Sequence, residues 1–305
     1  MNDLRLAARQ LLKSPGTTLV SLLTLAFGIG ANTAVFSVVD HLLLRTLPVP
    51  EPHQLAVLAV DGGDRRPGFS FNYPFFEDLR EYNQVFTHLA ALEDLNVALA
   101  TSTAGPAERV RAAMVSGTYF DMLQVAPLLG RTFNSREGRH PGDAAVALLS
   151  HGLWMRRFGG DPSVIGQVTP INGHPFTVIG VTPPGFSGTE VGIRPEVYLP
   201  ITAHGLLRSG AAAIDVDRLR SRFITWHEVA GRLKPGVSHR EAQESLRVLS
   251  RRLAEANPEN TPTNLLVLPG ARGLAQGAHE ATLPVLLVAG VVALVLLIAC
   301  ANVAG

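Results

Sequence analysis

The sequence predicts an α+β domain that is bracketed by two transmembrane α-helices. Residues 14–39 and 281–305 contain no charged side chain and are largely apolar. A helix needs about 20 such residues to cross the roughly 30 Å hydrocarbon layer of a membrane. The residues between these stretches, 40–280, alternate short strand-like and helix-like patterns, which is typical of a mixed α and β domain.

Composition limits the classes of function. The formal net charge of the 305-residue chain is only +1, so no basic footprint for nucleic acid stands out and no nucleic acid is expected as a partner. Cys300, the only cysteine, lies in the second apolar stretch. We therefore expect neither a disulfide nor a thiolate metal site in residues 40–280, so their stability must come from packing.

A basic leader precedes the first apolar stretch. Arg5, Arg9 and Lys13 recur every four residues on one face of a predicted helix at 3–13. This spacing indicates either a helix that lies on membrane lipid or simply positive flanking charge, and both place the N-terminus in the cytoplasm. The apolar run exceeds the roughly 7–15 residues of a signal-peptide core, and no small-x-small cleavage site follows it. We therefore interpret it as an uncleaved span.

The first span also carries a row of small residues. Ala26, Gly30 and Ala34 are spaced by four, a pattern that lets a second helix approach closely. Asn32 and Thr33 are polar at membrane depth, where they could hydrogen-bond across such a contact. Small residues are common in any membrane helix, yet the two features together favour a role in helix packing.

Two β-α-β units frame the predicted domain. The clearest helix signal is a capping box in the second unit, where Ser238 accepts from the third backbone N–H and Glu241 reaches back. Each unit has the order strand, helix, strand: 54–60, 74–82 and 86–100 in the first, and 223–233, 239–257 and 265–268 in the second. A further strand is predicted at 108–115.

The segment between the units, about 118–222, is predicted to be rich in strands. Its strongest signal is Asn172-Gly173, because a type I′ hairpin turn needs positive φ at both central residues. Pro170 and Pro175 flank this turn, so we expect the hairpin at a sheet edge. The other predicted elements are strands at 145–149 and 197–200 and short helices at 118–123 and 150–158.

Motifs that resemble catalytic or cofactor sites are incomplete. His227-Glu228 begins the zinc motif H-E-x-x-H, but Gly231 stands where the second histidine is required. Gly28-x-Gly30 has no preceding strand and lies inside the first span, and no phosphate-binding G-x-x-x-x-G-K-[ST] motif occurs. We therefore expect no enzyme activity, no cofactor and no metal.

Several strings, taken in order, resemble one family of membrane proteins. They are LRLAARQLLKSPG at 4–16, LAFGIGANTAVFS at 25–37, VSGTYF at 115–120, LGRTF at 129–133, RFGGDPSVIG at 157–166 and CANVA at 300–304. Together they are similar to the MacB/FtsX-type ABC transporter permeases and, among these, to the acidobacterial-type duplicated permeases.

The resemblance implies a domain organisation. The expected parts are a cytoplasmic leader at 1–16, a first span at 17–39, a MacB-like periplasmic core domain at 40–280 and a second span at 281–305. The core domain would combine porter-like parts at 48–117 and 223–280 with an inserted β-rich subdomain at about 118–222. The family has three spans after this domain, and the chain ends within the first of them.

The resemblance also implies a function. Such permeases lie in the bacterial cytoplasmic membrane, where a separate cytoplasmic ABC ATPase drives export, efflux or mechanical signalling through the extracytoplasmic domain. The expected partners are that ATPase, membrane lipid, and other permease spans or a second copy of the chain. The candidate residues are Ala26, Gly30, Asn32 and Ala34 for helix packing in the membrane, and Arg5, Arg9 and Lys13 at the membrane surface or in coupling. An alternative is a two-span extracytoplasmic sensor that binds a ligand in the same domain.

Overall fold

The computed structural model describes most of the chain, in two compact units. The described residues are 15–39, 46–63, 66–100, 107–134, 137, 145–189, 194–207, 217–258, 261–274, 287–294, 297 and 300. The first unit comprises Met1–Arg45 and Gly277–Gly305, and the second comprises Thr46–Gln276. The predicted helix at 3–13, with Arg5, Arg9 and Lys13, and most of the predicted second span lie outside the described residues.

Among its described residues, the first unit contains one long helix, α1 (Pro15–Val39). It begins at Pro15, where the Ser14-Pro15 pair predicts a start, because proline has no N–H to leave unpaired in the first turn. Residues 287–294 are also helical. Within the described part of the chain, no helix combines the length and the apolar character needed to cross a membrane.

In the second unit, the described strands form one mixed sheet. The strands are β1 (Leu55–Val60), β2 (Phe86–Ala100), β3 (Ala107–Val115), β4 (Leu129–Gly130), β5 (Val146–Leu149), β6 (Val168–Ile171), β7 (His174–Val181), β8 (Val197–Pro200), β9 (Glu228–Leu233) and β10 (Leu265–Pro269). Their order in the sheet is β10-β1-β9-β2-β3-β8-β5-β7-β4, and β6 pairs with both β2 and β7.

The helices of the second unit are mostly short. They are α2 (Tyr73–Tyr82), α3 (Tyr119–Leu123), α4 (His151–Phe158), α5 (His204–Leu207) and α6 (His239–Ala256), with 3-10 turns at Pro52–Gln54, Pro162–Val164 and Ile201–Ala203. The predicted capping box is confirmed, and a serine also caps α4. Ser238 and Glu241 form the complete capping box of α6, and Ser150 accepts a hydrogen bond from the Leu153 N–H at the start of α4.

The two β-α-β units interleave in the sheet. Strand β9 pairs antiparallel with both β1 and β2, and β1 pairs antiparallel with β10. Consequently β1 and β2 run in the same direction with β9 between them, and β9 and β10 run in the same direction with β1 between them. This is the arrangement of two split β-α-β units in a ferredoxin-like fold.

Helices α2 and α6 cover one face of these four strands. Their buried apolar side chains pack in the same core as the strand residues that point to that face, because successive strand residues point to opposite faces. The helix residues of this core are Phe75, Phe76 and Leu79 from α2 and Ala242, Leu246 and Leu253 from α6, facing Ala56, Leu58, Leu89, Ala91 and Val229 of the strands.

The segment at 118–222 extends this sheet. It contributes β4 to β8, and among the described residues it joins the sheet through the parallel pair β3–β8 and the bridge between Leu99 and Ile171. These strands therefore continue one sheet and do not form a second one. The subdomain boundaries near 117 and 222 stay a prediction.

The hairpin β6–β7 forms as predicted, but its place in the sheet is different. Asn172 and Gly173 have φ of 50° and 83°, as a type I′ turn requires. The edge position is wrong for β7, which has β5 on one side and β6 and β4 on the other. Pro175 is tolerated because the pairing with β5 starts only at Thr177, so its missing N–H leaves that ladder intact.

Strand β9 is shorter than the predicted 223–233. It begins at Glu228, and His227 makes an isolated bridge to Phe71. The side chain of Trp226 packs among aromatic rings, with Tyr73 at a centroid distance of 6.5 Å and His204 at 4.6 Å. Trp226 therefore serves side-chain packing outside a ladder, which apolar content alone does not distinguish from a strand.

Candidate coupling junction

The chain enters and leaves the second unit at neighbouring points. We call residues 46–54 the incoming segment and residues 269–274 the outgoing segment. The Leu47 N–H donates to the Ala271 carbonyl at 2.8 Å, and the Gly270 N–H donates to the Leu55 carbonyl at 2.8 Å. The two segments that lead from and to the predicted spans are thus hydrogen-bonded to each other.

Arg232 on β9 attaches the incoming segment to the middle of the sheet. Its side chain is 2% exposed. Nη2 donates to the Pro50 carbonyl at 3.0 Å, and Nη1 donates to the Glu51 carbonyl at 3.2 Å and to Gln54 Oε1 at 3.3 Å. Nε donates to the Met122 carbonyl of α3 at 2.6 Å. One guanidinium therefore joins β9, the incoming segment and the start of the 118–222 segment.

A buried arginine suits this position because it carries five N–H donors in a fixed plane and no acceptor. Burial lowers the pKa of Arg232, and the negative charge of Glu51 opposes that shift. In the described residues no carboxylate forms an ion pair with it, so backbone carbonyls supply most of its partners. Glu51 itself has a φ of 44°, a region that L residues rarely adopt.

The outgoing segment is attached to the 118–222 segment. Leu274 is fully buried, and its N–H donates to the Thr189 carbonyl at 2.8 Å. The Thr189 hydroxyl is in turn 3.0 Å from the Tyr119 hydroxyl on α3. Hydrogen bonds thus lead from the outgoing segment through the loop after β7 to α3.

An aromatic cluster fills the space between these attachments. Phe120 lies at its centre, with ring centroids 5.2 Å from Tyr119, 6.0 Å from Phe133, 6.1 Å from Phe186 and 5.4 Å from Tyr198. The same core includes three aliphatic side chains from the two segments: Leu47, Val49 and Leu274. We call the two segments, Arg232, α3 and this aromatic cluster the junction.

The residues predicted to pack helices lie elsewhere, in the first unit. Ala26, Gly30 and Ala34 are all exposed, and a methyl group on Gly30 would meet no described atom within 4 Å. Asn32 donates to the Gly28 carbonyl at 3.0 Å within α1 and to the Val292 carbonyl at 3.4 Å. The role of the small-residue row stays a prediction, and that of the basic leader lies outside the described residues.

The sequence patterns did not predict the junction. For Arg232 a signal was available, since it is a charged residue inside the apolar run Val-Ala-Gly-Arg-Leu. Because a charged side chain is buried only when it has hydrogen-bond or ion-pair partners, this pattern indicates a specific set of contacts. The aromatic residues gave no such signal, because Tyr119, Phe120 and Tyr198 are separated along the chain and are brought together only by the sheet.

The described residues offer little for acid–base or metal chemistry. No group of three metal-ligating side chains occurs among them. His227, from the incomplete zinc motif, is buried against the rings of Tyr73, Phe76 and Trp226. Burial lowers the pKa of His227 from its usual 6.5 to about 4. This histidine is therefore a neutral part of the core.

Comparisons with known proteins agree with this fold. The sequence profile described as "MacB-like periplasmic core domain" matches residues 18–249. The comparison with curated proteins finds no match. Among solved structures, the periplasmic region of MacB from Actinobacillus actinomycetemcomitans is similar at 14% identity with a TM-score of 0.50, covering 71% of this chain and 89% of that one.

A second solved structure is the extracellular domain of the noncanonical ABC-type transporter YknZ from Gram-positive bacteria. It has 16% identity and a TM-score of 0.48, and the alignment covers 70% of this chain and 99% of that one. The profile match extends over more than half of the chain, and the chain therefore belongs to the family of the MacB-like periplasmic core domain found in MacB/FtsX-type permeases.

Proposed function

We propose that this chain is a membrane permease component of a MacB/FtsX-type ABC system and has no enzyme activity of its own. In this role it couples a separate cytoplasmic ATPase to an extracytoplasmic domain, for transport or for mechanical signalling. The observation that carries the proposal is the junction, in which the incoming and outgoing segments are hydrogen-bonded to each other and attached to the 118–222 segment.

The proposal places two spans, at 17–39 and 281–305, in the bacterial cytoplasmic membrane. Its support is the sequence, since neither 14–39 nor 281–305 contains a charged side chain. The basic leader at 1–16 then lies on the cytoplasmic side, near the ATPase. Residues 40–280 lie on the other side; the name "periplasmic core domain" of the profile that matches residues 18–249 supports this assignment.

Coupling follows from chain connectivity and contact. A shift of the span at 17–39 pulls on the incoming segment, and a shift of the span at 281–305 pulls on the outgoing segment. The Leu47–Ala271 hydrogen bond transmits that shift to the other segment. Arg232 and the Leu274–Thr189 hydrogen bond transmit it to α3 and to the loop after β7. Packed cores transmit such displacements because they have little room to deform.

Cysteine labelling tests the topology. Replacing Cys300 with serine gives a cysteine-free chain. Arg251→Cys then adds one exposed thiol on α6, which a membrane-impermeant maleimide should modify from outside intact cells. Lys13→Cys, in the basic leader, should react only after the cells are opened. Reaction of the Arg251→Cys thiol only from the cytoplasmic side would contradict the proposal.

A second measurement tests the coupling. Thr46→Cys places a thiol on the exposed start of the incoming segment. In native membranes that contain the ATPase, its labelling rate should differ between ATP and ADP, whereas the rate at Arg251→Cys should not. Equal rates at Thr46→Cys under both nucleotides would favour the two-span ligand-binding sensor.

A further inference from the structure

A cleft of about 400 Å³ lies beside the junction. It is formed by the start of α4, the turn after β7 and the residues that precede β8. Its lining includes Ser150, His151, Arg156, Phe186, Arg194 and Glu196. Its volume falls within the range of small-molecule sites, which is roughly 300–1,000 Å³.

Among the lining residues that the structure describes, one arginine has no ion-pair partner. The charge of Arg156 is compensated by two carboxylates, because its guanidinium donates to Glu196 Oε1 at 2.5 Å and to Glu108 Oε1 at 3.0 Å. Arg194 is exposed, and in the part of the chain that the structure describes it forms no ion pair. The charge of Arg194 is therefore available to a ligand.

Hydroxyl donors lie near the same space. Ser150, which lines the cleft, is only 8% exposed and accepts from the Leu153 N–H, so its own proton is left to donate. The fully buried Tyr198 hydroxyl has no hydrogen-bond partner in the described residues. The Tyr198 hydroxyl lies close to Pro195, which lines the cleft. A methyl group on Gly188 would be 3.4 Å from this hydroxyl and 3.0 Å from Pro195, so both are next to the same point.

An aromatic ring forms the apolar part of the cleft. Phe186 lines it and is half-buried. The same ring packs against Phe120 at 6.1 Å and against Tyr198 at 5.9 Å. The cleft therefore combines an apolar surface with the guanidinium of Arg194, unpaired among the described residues, and the hydroxyl of Ser150, while the carboxylate of Glu196 is occupied by Arg156.

We propose that this cleft is a binding site for a small organic ligand that carries an oxyanion, carboxylate or phosphate, on an apolar group. The oxyanion binds Arg194, whose planar fork matches the two oxygens of such a group, and the Ser150 hydroxyl in the lining adds a donor. The apolar group contacts Phe186. This inference does not depend on membrane topology or on coupling to an ATPase.

Isothermal titration calorimetry of the full chain in detergent tests the site. The probes are phenylacetate and phenyl phosphate, with phenethylamine as the probe of opposite charge. We expect saturable one-site binding of at least one anionic probe and none of phenethylamine. The anionic probe that binds with the higher affinity identifies the oxyanion as carboxylate or phosphate.

Matched arginine variants complete the test. Arg194→Gln should weaken binding of the anionic probe about tenfold or more, as expected for loss of a charge-assisted hydrogen bond. Arg220→Gln removes another exposed arginine, which lines a separate cleft, and should bind like the unmodified chain. Both positions are exposed, so neither change should affect folding. The proposal is overturned if neither anion binds, if phenethylamine binds equally well, or if Arg194→Gln has no effect.

Discussion

The backbone N–H of Leu47 donates to the carbonyl of Ala271 across 2.8 Å, although the two residues are more than 200 positions apart in the chain. This bond joins the two ends of the domain at one place. The side chain of Leu47 belongs to the same core as Leu274 and the aromatic cluster around Phe120. The ends of the domain are therefore part of its packed interior, as the proposed coupling requires.

Replacement of Arg232 should destabilise the second unit strongly. Arg232→Met keeps most of the side-chain volume but leaves the carbonyls of Pro50, Glu51 and Met122 without their donor. Because the buried Met122 carbonyl is costly when it is left unpaired, whereas Pro50 and Glu51 are exposed residues, we expect a loss of about 1–3 kcal/mol. Chemical denaturation of the full chain, followed by circular dichroism, measures it. Arg247→Met, at an exposed position on α6, should cost less than about 0.5 kcal/mol.

Gly130 should not accept a side chain. Its φ is 69°, and a methyl group there would overlap the Ile179 carbonyl of the paired strand β7. Gly130→Ala should therefore cost about 2 kcal/mol or more, from the left-handed backbone and the displaced strand together. Thermal unfolding measures the loss. Gly205→Ala, on α5, meets no described atom within 4 Å and should be neutral or slightly stabilising, so equal effects of the two changes would contradict this account.

Stability should fall on acidification through His227. The folded-state pKa of about 4 lies below the unfolded value of 6.5, so the unfolded chain binds the proton first. The contribution of His227 is therefore complete above pH 6.5 and is lost progressively as the pH falls toward 4, by roughly 3 kcal/mol in total. The free energy of unfolding, measured across this window, should depend less on pH in His227→Gln. His53→Gln, at an exposed site, should retain the full dependence.

The small-residue row of α1 gives a prediction about assembly. Gly30 is exposed and has open space around it, so Gly30→Leu should leave the described contacts of the single chain intact. If a partner helix packs on this row, the larger side chain should reduce cysteine crosslinking to partner spans at least severalfold without reducing membrane insertion. Gly16→Leu is the matched control, since Gly16 has open space as well but lies outside the row. Unchanged crosslinking in Gly30→Leu would leave α1 as a simple anchor.

Much of the local structure follows from short-range signals. The capping box at Ser238, the turn at Asn172-Gly173 and the start of α1 at Pro15 each depend on residues a few positions apart. Such signals act through nearby backbone groups, and the structure confirms all three. The strand boundaries were less predictable, because an apolar run such as 223–227 can serve side-chain packing as well as a ladder.

Local patterns were sufficient to predict the α+β class, the family resemblance and most of the secondary structure, since periodicity and capping act over a few residues. They did not predict that β7 lies inside the sheet, that the 118–222 segment extends that sheet, or that the incoming and outgoing segments are hydrogen-bonded to each other. Only the tertiary structure placed Arg232 on Met122, which is 110 positions away. These outcomes depend on pairings between distant residues, and many alternative pairings would satisfy the same local patterns equally well.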